Sequence, residues 1–270
     1  MTSDKNNHSQ EDLQRIRALR LIDDDFMTIC FDNYVEGAEL LLKIILDRED
    51  LTVTEVKAQK TMKNLQGRDV WLDIYATDQK GDKYDIEVQR AKPGADPKRA
   101  RYHSSMMDAD MLKPQEEFTE LRENYVIFIT EKDVLGMNKP IYHVDRMIRE
   151  GNVQFDDGEH IIYVNGSMRT KETALGRLMN DFFCTEAKDM YYEELSEKVR
   201  RYKETEEGAN DMCDIFDEIR NEAAEKATNS KACEIAQKML DDGSLSLEKI
   251  AEFSGLSIDK VRELAGNKSA

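Results

Sequence analysis

The sequence predicts an α/β domain, a mixed sheet flanked by helices, with an α-helical C-terminal extension. Residues 70–76 and 83–89 each alternate apolar and polar side chains, the period of a half-buried strand. Between them lies the turn-rich stretch Thr77-Asp78-Gln79-Lys80-Gly81-Asp82. The elements run α-β-β-β-α-β, hairpin strands early and a helical crossover later, the order of a mixed sheet with helices against it. From about residue 170 onward the pattern is helical and contains no Pro.

Residues up to about Arg20 read as a mobile leader running into a helical pattern. Asp32 or Asn33 is a candidate cap for a helix through Leu46, with Val35, Leu41, Leu42, Ile45 and Leu46 as its apolar members. Residues 52–56 read as a strand, and the hairpin follows. Pro93-Gly94 and Asp96-Pro97 punctuate a loop, after which a helix is expected over 97–112. Residues 125–130 form an apolar run of buried-strand type. Residues 141–147 are ambiguous, and 160–165 read as a strand ending at Gly166. Helices are expected over 173–184 and 191–204. Met212, Ile215, Phe216 and Ile219 give the i, i+3, i+4, i+7 stripe of another. Ala251-x3-Gly255-x5-Val261 has helix-turn-helix spacing: a small residue for close approach, a Gly for the turn, an apolar anchor. Ser257 suits the N-cap of its second helix. The mixed charges of 258–263 offer no Asn-, Gln- or Arg-rich reading face.

The hairpin carries the chemistry. If it centres near Lys80 and Gly81, Asp73 lies opposite Glu87 or Gln89, with Cβ atoms about 4.5–5.5 Å apart. Leu72, Ile74, Ile86 and Val88 then face the core, and Asp73, Glu87 and Gln89 share the other face. Solvated strand carboxylates are the ordinary use of such residues. Opposed carboxylates repel, however, and a cation between them resolves the conflict; hard oxygen ligands suit Mg²⁺.

Asp73 followed by Glu87-Val88-Gln89 resembles the D…(D/E)xK signature of PD-(D/E)XK nucleases, with Gln at the Lys position. Asp24-Asp25-Phe26-Met27 with Phe31 is similar to the N-terminal motif of the Rpn-type recombination-promoting nucleases, also called PD-(D/E)XK family transposases. The helix at 40–46, the basic-aromatic Lys98-Arg99-Ala100-Arg101-Tyr102-His103 and the strand at 124–130 fall in that family's order. The resemblance covers roughly residues 20–170. It implies a restriction-endonuclease-like fold and Mg²⁺-dependent endonucleolytic hydrolysis of DNA, with Mn²⁺ as substitute metal. Asp73, Glu87 and the Val88 carbonyl would ligate the metal, and Gln89 would position the attacking water. Asp25 is a further candidate acid, a helix N-cap being its competing use. Arg90, Lys92, Lys98, Arg99, Arg101 and Tyr102 are candidate DNA contacts. The alternative is an inactivated nuclease fold that binds DNA or a protein partner. Gln89 puts a Lys-based mechanism in doubt, since a neutral amide can only hydrogen-bond.

Composition bounds these readings. The net charge of −17 argues against a DNA-coating protein, because phosphate contacts dominate nucleic-acid affinity. Yet residues 55–103 hold 11 Lys/Arg against 8 Asp/Glu, whereas 172–242 hold 10 against 19. The candidate site is the basic part of an acidic molecule. The 4 cysteines are scattered without CxxC spacing, as expected of reduced thiols in a cytoplasm. No run reaches the length of a membrane span, and the polar N-terminus lacks a signal-peptide core. The expected division is a leader at 1–20, a nuclease-like domain at 21–185, an acidic helical extension at 186–243 and a helix-turn-helix-like segment at 244–270. The extension could pack on the core, form a homodimer or act as an arm.

Overall fold

The computed structural model describes residues 10–64, 68–90 and 92–266; the side chains of residues 10, 11, 92 and 217–227 lie outside the described part. The described residues form two compact units, one of residues 10–208 and one of residues 209–266.

The first unit opens with α1 (Gln10–Ala18), α2 (Asp24–Phe31) and α3 (Val35–Leu46). Residues 10–18, read in the sequence as leader, are helical, and Ile16 is buried. Asp32 and Asn33 do not cap the start of α3. Asp32 closes α2, and Asn33 takes a left-handed φ of 51°, which a short polar side chain tolerates best. Strands β1 (Val53–Met62), β2 (Val70–Asp78) and β3 (Lys83–Gln89) follow, then α4 (Pro97–Met111) and β4 (Asn124–Thr130). The ambiguous stretch becomes β5 (Ile141–Val144) and a small hairpin of β6 (Met147–Ile148) and β7 (Val153–Gln154). Strand β8 (Glu159–Asn165) completes the sheet, and α5 (Ala174–Phe183) and α6 (Glu193–Glu204) end the unit.

The six-stranded sheet has the order β1-β2-β3-β4-β8-β5. The pairs β1/β2, β2/β3 and β5/β8 are antiparallel, and β3/β4 and β4/β8 are parallel. The crossover through α4 makes the β3/β4 pair parallel. This is the restriction-endonuclease-like mixed sheet flanked by helices.

The half-buried alternation expected for the hairpin is replaced by burial on both faces. In β2 every side chain except Trp71 is buried. The reason is α4. Its Ala100, Met106 and Met107 pack with Tyr75, Val126, Phe128 and Tyr163, so the face that carries the carboxylates is also covered. Polar residues on that face must therefore find partners inside the protein.

In the second unit, the later part of α7 (Glu206–Asp242) packs with α8 (Leu247–Ser254) and α9 (Ile258–Gly266) around Ala236, Ile250 and Val261. Ser246 caps α8, Gly255 closes it at φ 74°, and the Ser257 hydroxyl accepts from Lys260 N at 3.3 Å. Among the described residues no helix is long and apolar enough to cross a membrane.

Candidate active site

The turn fixes the hairpin register. Asp78 Oδ1 accepts from Lys80 N (2.8 Å) and Asp82 N (3.0 Å), and Gly81 takes φ 88°. Thr77 then faces Lys83 and Ile74 faces Ile86. The same register continued by one residue sets Asp73 opposite Glu87. Beyond Ile74 the two carboxylates take over the amides of the facing strand. Asp73 N donates to Glu87 Oε1 (3.0 Å), and Val88 N donates to Asp73 Oδ2 (3.1 Å). The Val88 peptide thereby lies against Asp73. Gln59 Nε2 donates to Asp73 Oδ1 at 3.5 Å and to Thr28 Oγ1 at 3.2 Å.

Helix α4 supplies the other half of the site. Asp96 caps it by accepting from Lys98 N at 2.7 Å, and Pro97 opens its first turn. Arg99 and His103, one turn apart, meet the sheet. Arg99 Nη2 lies 2.7 Å from Glu87 Oε2, its Nη1 donates to the Gly94 carbonyl, and its Nε donates to His103 Nε2 at 3.2 Å. With Nε2 accepting, the ring proton sits on Nδ1 and is donated to Asp85 Oδ2 at 2.8 Å. Gln89 Nε2 donates to Glu87 Oε2 at 3.4 Å.

Asp85 and His103 are absent from the sequence-based site. The period-2 rule that selects Glu87 and Gln89 also puts Asp85 on that face, and i, i+4 spacing pairs His103 with Arg99. Ligand atoms of Asp85, Glu87 and His103 lie within 4.8 Å of one another, all buried.

Burial dominates the electrostatics. It pushes the Asp73 carboxyl up to about 8, reinforced by Glu87 and Asp24. Burial, then Asp85, pushes Glu87 up to about 8. Asp85 is raised by burial and by Asp73, and its Oδ1 has no hydrogen-bond partner. Burial lowers His103, keeping the imidazole neutral. Three buried carboxylates thus face one guanidinium. The buried oxygen donors of this group fit a hard divalent cation, while His103 Nδ1 is committed to Asp85.

The site opens into a cleft of about 730 Å³ lined by Asp24, Gln59, Arg68, Asp69, Val70, Trp71, Asp73, Pro93, Lys98, Arg99, Tyr102 and His103. Lys98, Arg99 and Tyr102, three of the candidate DNA contacts, line it. Tyr102 Oη accepts from Asn64 Nδ2 and donates to the Arg68 carbonyl. Arg68 is a lining cation the sequence reading passed over, in a segment without periodicity. Arg101 is exposed and is not among the lining residues. Arg90 is held by Asp23 (3.1 Å) and Glu131 (3.4 Å) instead of turning into the cleft. The Lys92 side chain lies outside the described residues. Asp24 lines the cleft, its carboxyl raised by burial and by Asp25, while Asp25 lines a separate hollow beside Arg90.

A family model described as PD-(D/E)XK nuclease family transposase matches residues 39–226. Neither curated proteins nor solved structures give a match. The matched span carries the whole six-stranded sheet, the opposed Asp73 and Glu87, and the helix that brings Arg99 to them. By the extent of that match, the chain belongs to the PD-(D/E)XK nuclease family transposases.

Proposed function

We propose that this chain is a Mg²⁺-dependent DNA endonuclease of the recombination-promoting, transposase-associated kind. The observation that carries the reading is the pair of buried, opposed carboxylates: Asp73, which lines a cleft shared with Arg68, Lys98 and Arg99, and Glu87, buried behind it against Arg99. A divalent cation held there supplies polarisation of the phosphodiester and a more acidic water. Asp73 and Glu87 hold it, aligned by the amides of Val88 and Asp73. Gln89, beside Glu87, orients the attacking water through its amide, since it cannot supply a charge. Arg99 offers its guanidinium to charge developing on the phosphate. Lys98 and Arg68 take flanking phosphates, which positions the strand without reading its sequence.

The rival reading, a non-cleaving binding module, draws on the same Arg99–Glu87 contact, which already occupies one carboxyl oxygen. Nicking of supercoiled plasmid separates the two. Wild type should nick with Mg²⁺ or Mn²⁺ and stop with chelator, and Asp73→Asn should lose the activity while staying folded. Equal nicking by the variant would rule out this site; no nicking by wild type, with no Mn²⁺ binding by calorimetry, would favour the binding module.

A further inference from the structure

Trp71 is the chain's single tryptophan, and it stands 57% exposed between the buried Val70 and Leu72. A strand buried on both faces leaves its largest side chain in water at one position only. That position is two residues from Asp73, on the same face and about 7 Å along the strand. The distance is about two base-stacking rises of 3.4 Å. The ring lines the cleft together with Tyr102, Pro93, Arg68 and Lys98. Tyr102 is fixed by its hydroxyl, which bridges Asn64 and the Arg68 carbonyl. Asp69, two residues before it, is paired with Lys63 at 3.3 Å and accepts from Asn64 N. Arg68, Lys98 and Arg99 are the cations that line the same cleft as the indole, an arrangement that suits a strand with an accessible base and phosphates beside it.

We infer that Trp71 is a stacking platform for an unpaired base next to the scissile phosphate, so that the cleft takes DNA with a single-stranded, frayed or flipped nucleotide at the cleavage position. The inference rests on the nuclease reading of the same cleft and names its substrate class. An indole face accepts any base, so the platform selects unpaired structure over sequence. A fully stacked duplex hides its base faces and offers Trp71 nothing to stack on.

Because Trp71 is the sole tryptophan, its fluorescence reports on this place alone. The full-length protein, in chelator so that nothing is cleaved, would be titrated with a single-stranded DNA oligonucleotide, a duplex with an internal bubble and a blunt duplex. Anisotropy of a label on the DNA would follow binding in parallel. Saturable quenching by the first two and little by the blunt duplex is expected. Trp71→Ala should weaken single-strand binding about 5- to 150-fold, the range one stacked base contributes. Trp71→Phe should retain most of the affinity. Unchanged fluorescence at saturating oligonucleotide, no binding at all, or equal binding by Trp71→Ala would overturn the inference. Quenching in a protein that never nicks DNA would leave the stacking platform standing and remove the nuclease reading.

Discussion

Asp73 and Glu87 each sit where the folded protein prefers the protonated acid. Their carboxyls lose protons near pH 8 in the folded protein, against about pH 4 in an unfolded chain. Between those values the native state binds more protons than the unfolded one, so metal-free stability should fall as pH rises from about 4 to about 8. Melting curves in chelator from pH 5.5 to 8.5 should show this slope, and Asp73→Asn should flatten it. A divalent cation must displace those protons, so its affinity should climb over the same window. Gln89 can be tested through its neighbour. A Cβ built on Gly94 would come within 1.8 Å of Gln89 Oε1. Gly94→Ala should push the amide aside at little cost, because the clash is with the tip of a flexible side chain. If Gln89 orients water, Gly94→Ala and Gln89→Ala should both slow single-turnover cleavage, roughly ten- to hundredfold, the worth of one hydrogen bond to a reacting group. Gln89→Lys should be tolerated. Unchanged rates in both variants would reduce Gln89 to a structural amide.

Helix α4 joins the site to the sheet, and its start is legible in the chain: Asp96 caps it and Pro97 fixes the first turn. The i, i+4 pair Arg99 and His103 then meets Glu87 and Asp85. The helix-turn-helix spacing behaves similarly. Gly255 occupies the left-handed position with nothing near its would-be Cβ, so Gly255→Ala should cost only backbone strain, about 1 kcal/mol. Ser246→Ala should cost about as much through the lost cap. Amide exchange across α8 and α9 should quicken about fivefold in either variant. The charges of α9 are spent within it: Lys260 pairs with Glu263 and Arg262 with Asp259. That pairing explains in physical terms why this helix presents no basic reading face.

At the scale of the molecule, the proposed function requires a chain of net charge −17 to approach DNA through a small cationic area. Under the proposed function that role falls to the cations lining the cleft; Arg99 is bound to Glu87, which leaves Arg68 and Lys98 ahead of Arg101, which does not line it, and Arg90, which is ion-paired. Neutralising Arg68 and Lys98 together should weaken binding alike across unrelated DNA sequences. It should lower the slope of log affinity against log salt by about 1.4 to 1.8, that is about 0.7 to 0.9 per lost phosphate contact. Arg101→Gln should change that slope little. Fluorescence anisotropy over a salt series measures both, and an equal effect from Arg101→Gln would move the interface along the exposed face of α4.

Sequence alone determined what depends on local periodicity and turn chemistry: the hairpin, the crossover helix, the apolar strand at 124–130 and the shared face of Asp73, Glu87 and Gln89. Period 2 fixes which residues share a face, but leaves Asp73 opposite Glu87 or Gln89; the register set by the Asp78–Gly81 turn chooses Glu87. Tertiary structure decided what covers that face. Strand alternation distinguishes two sides but does not say that a helix will seal the polar one. Only the packing of α4 makes Asp85 a buried acid, commits Arg99 to Glu87 and His103 to Asp85, and raises the paired acids to about pH 8. It also decided which cations reach the cleft, because a side chain's direction and partners, unlike its charge, are set by residues distant in sequence. Arg90 meets Asp23 and Glu131, and Arg68 meets open cleft, for that reason.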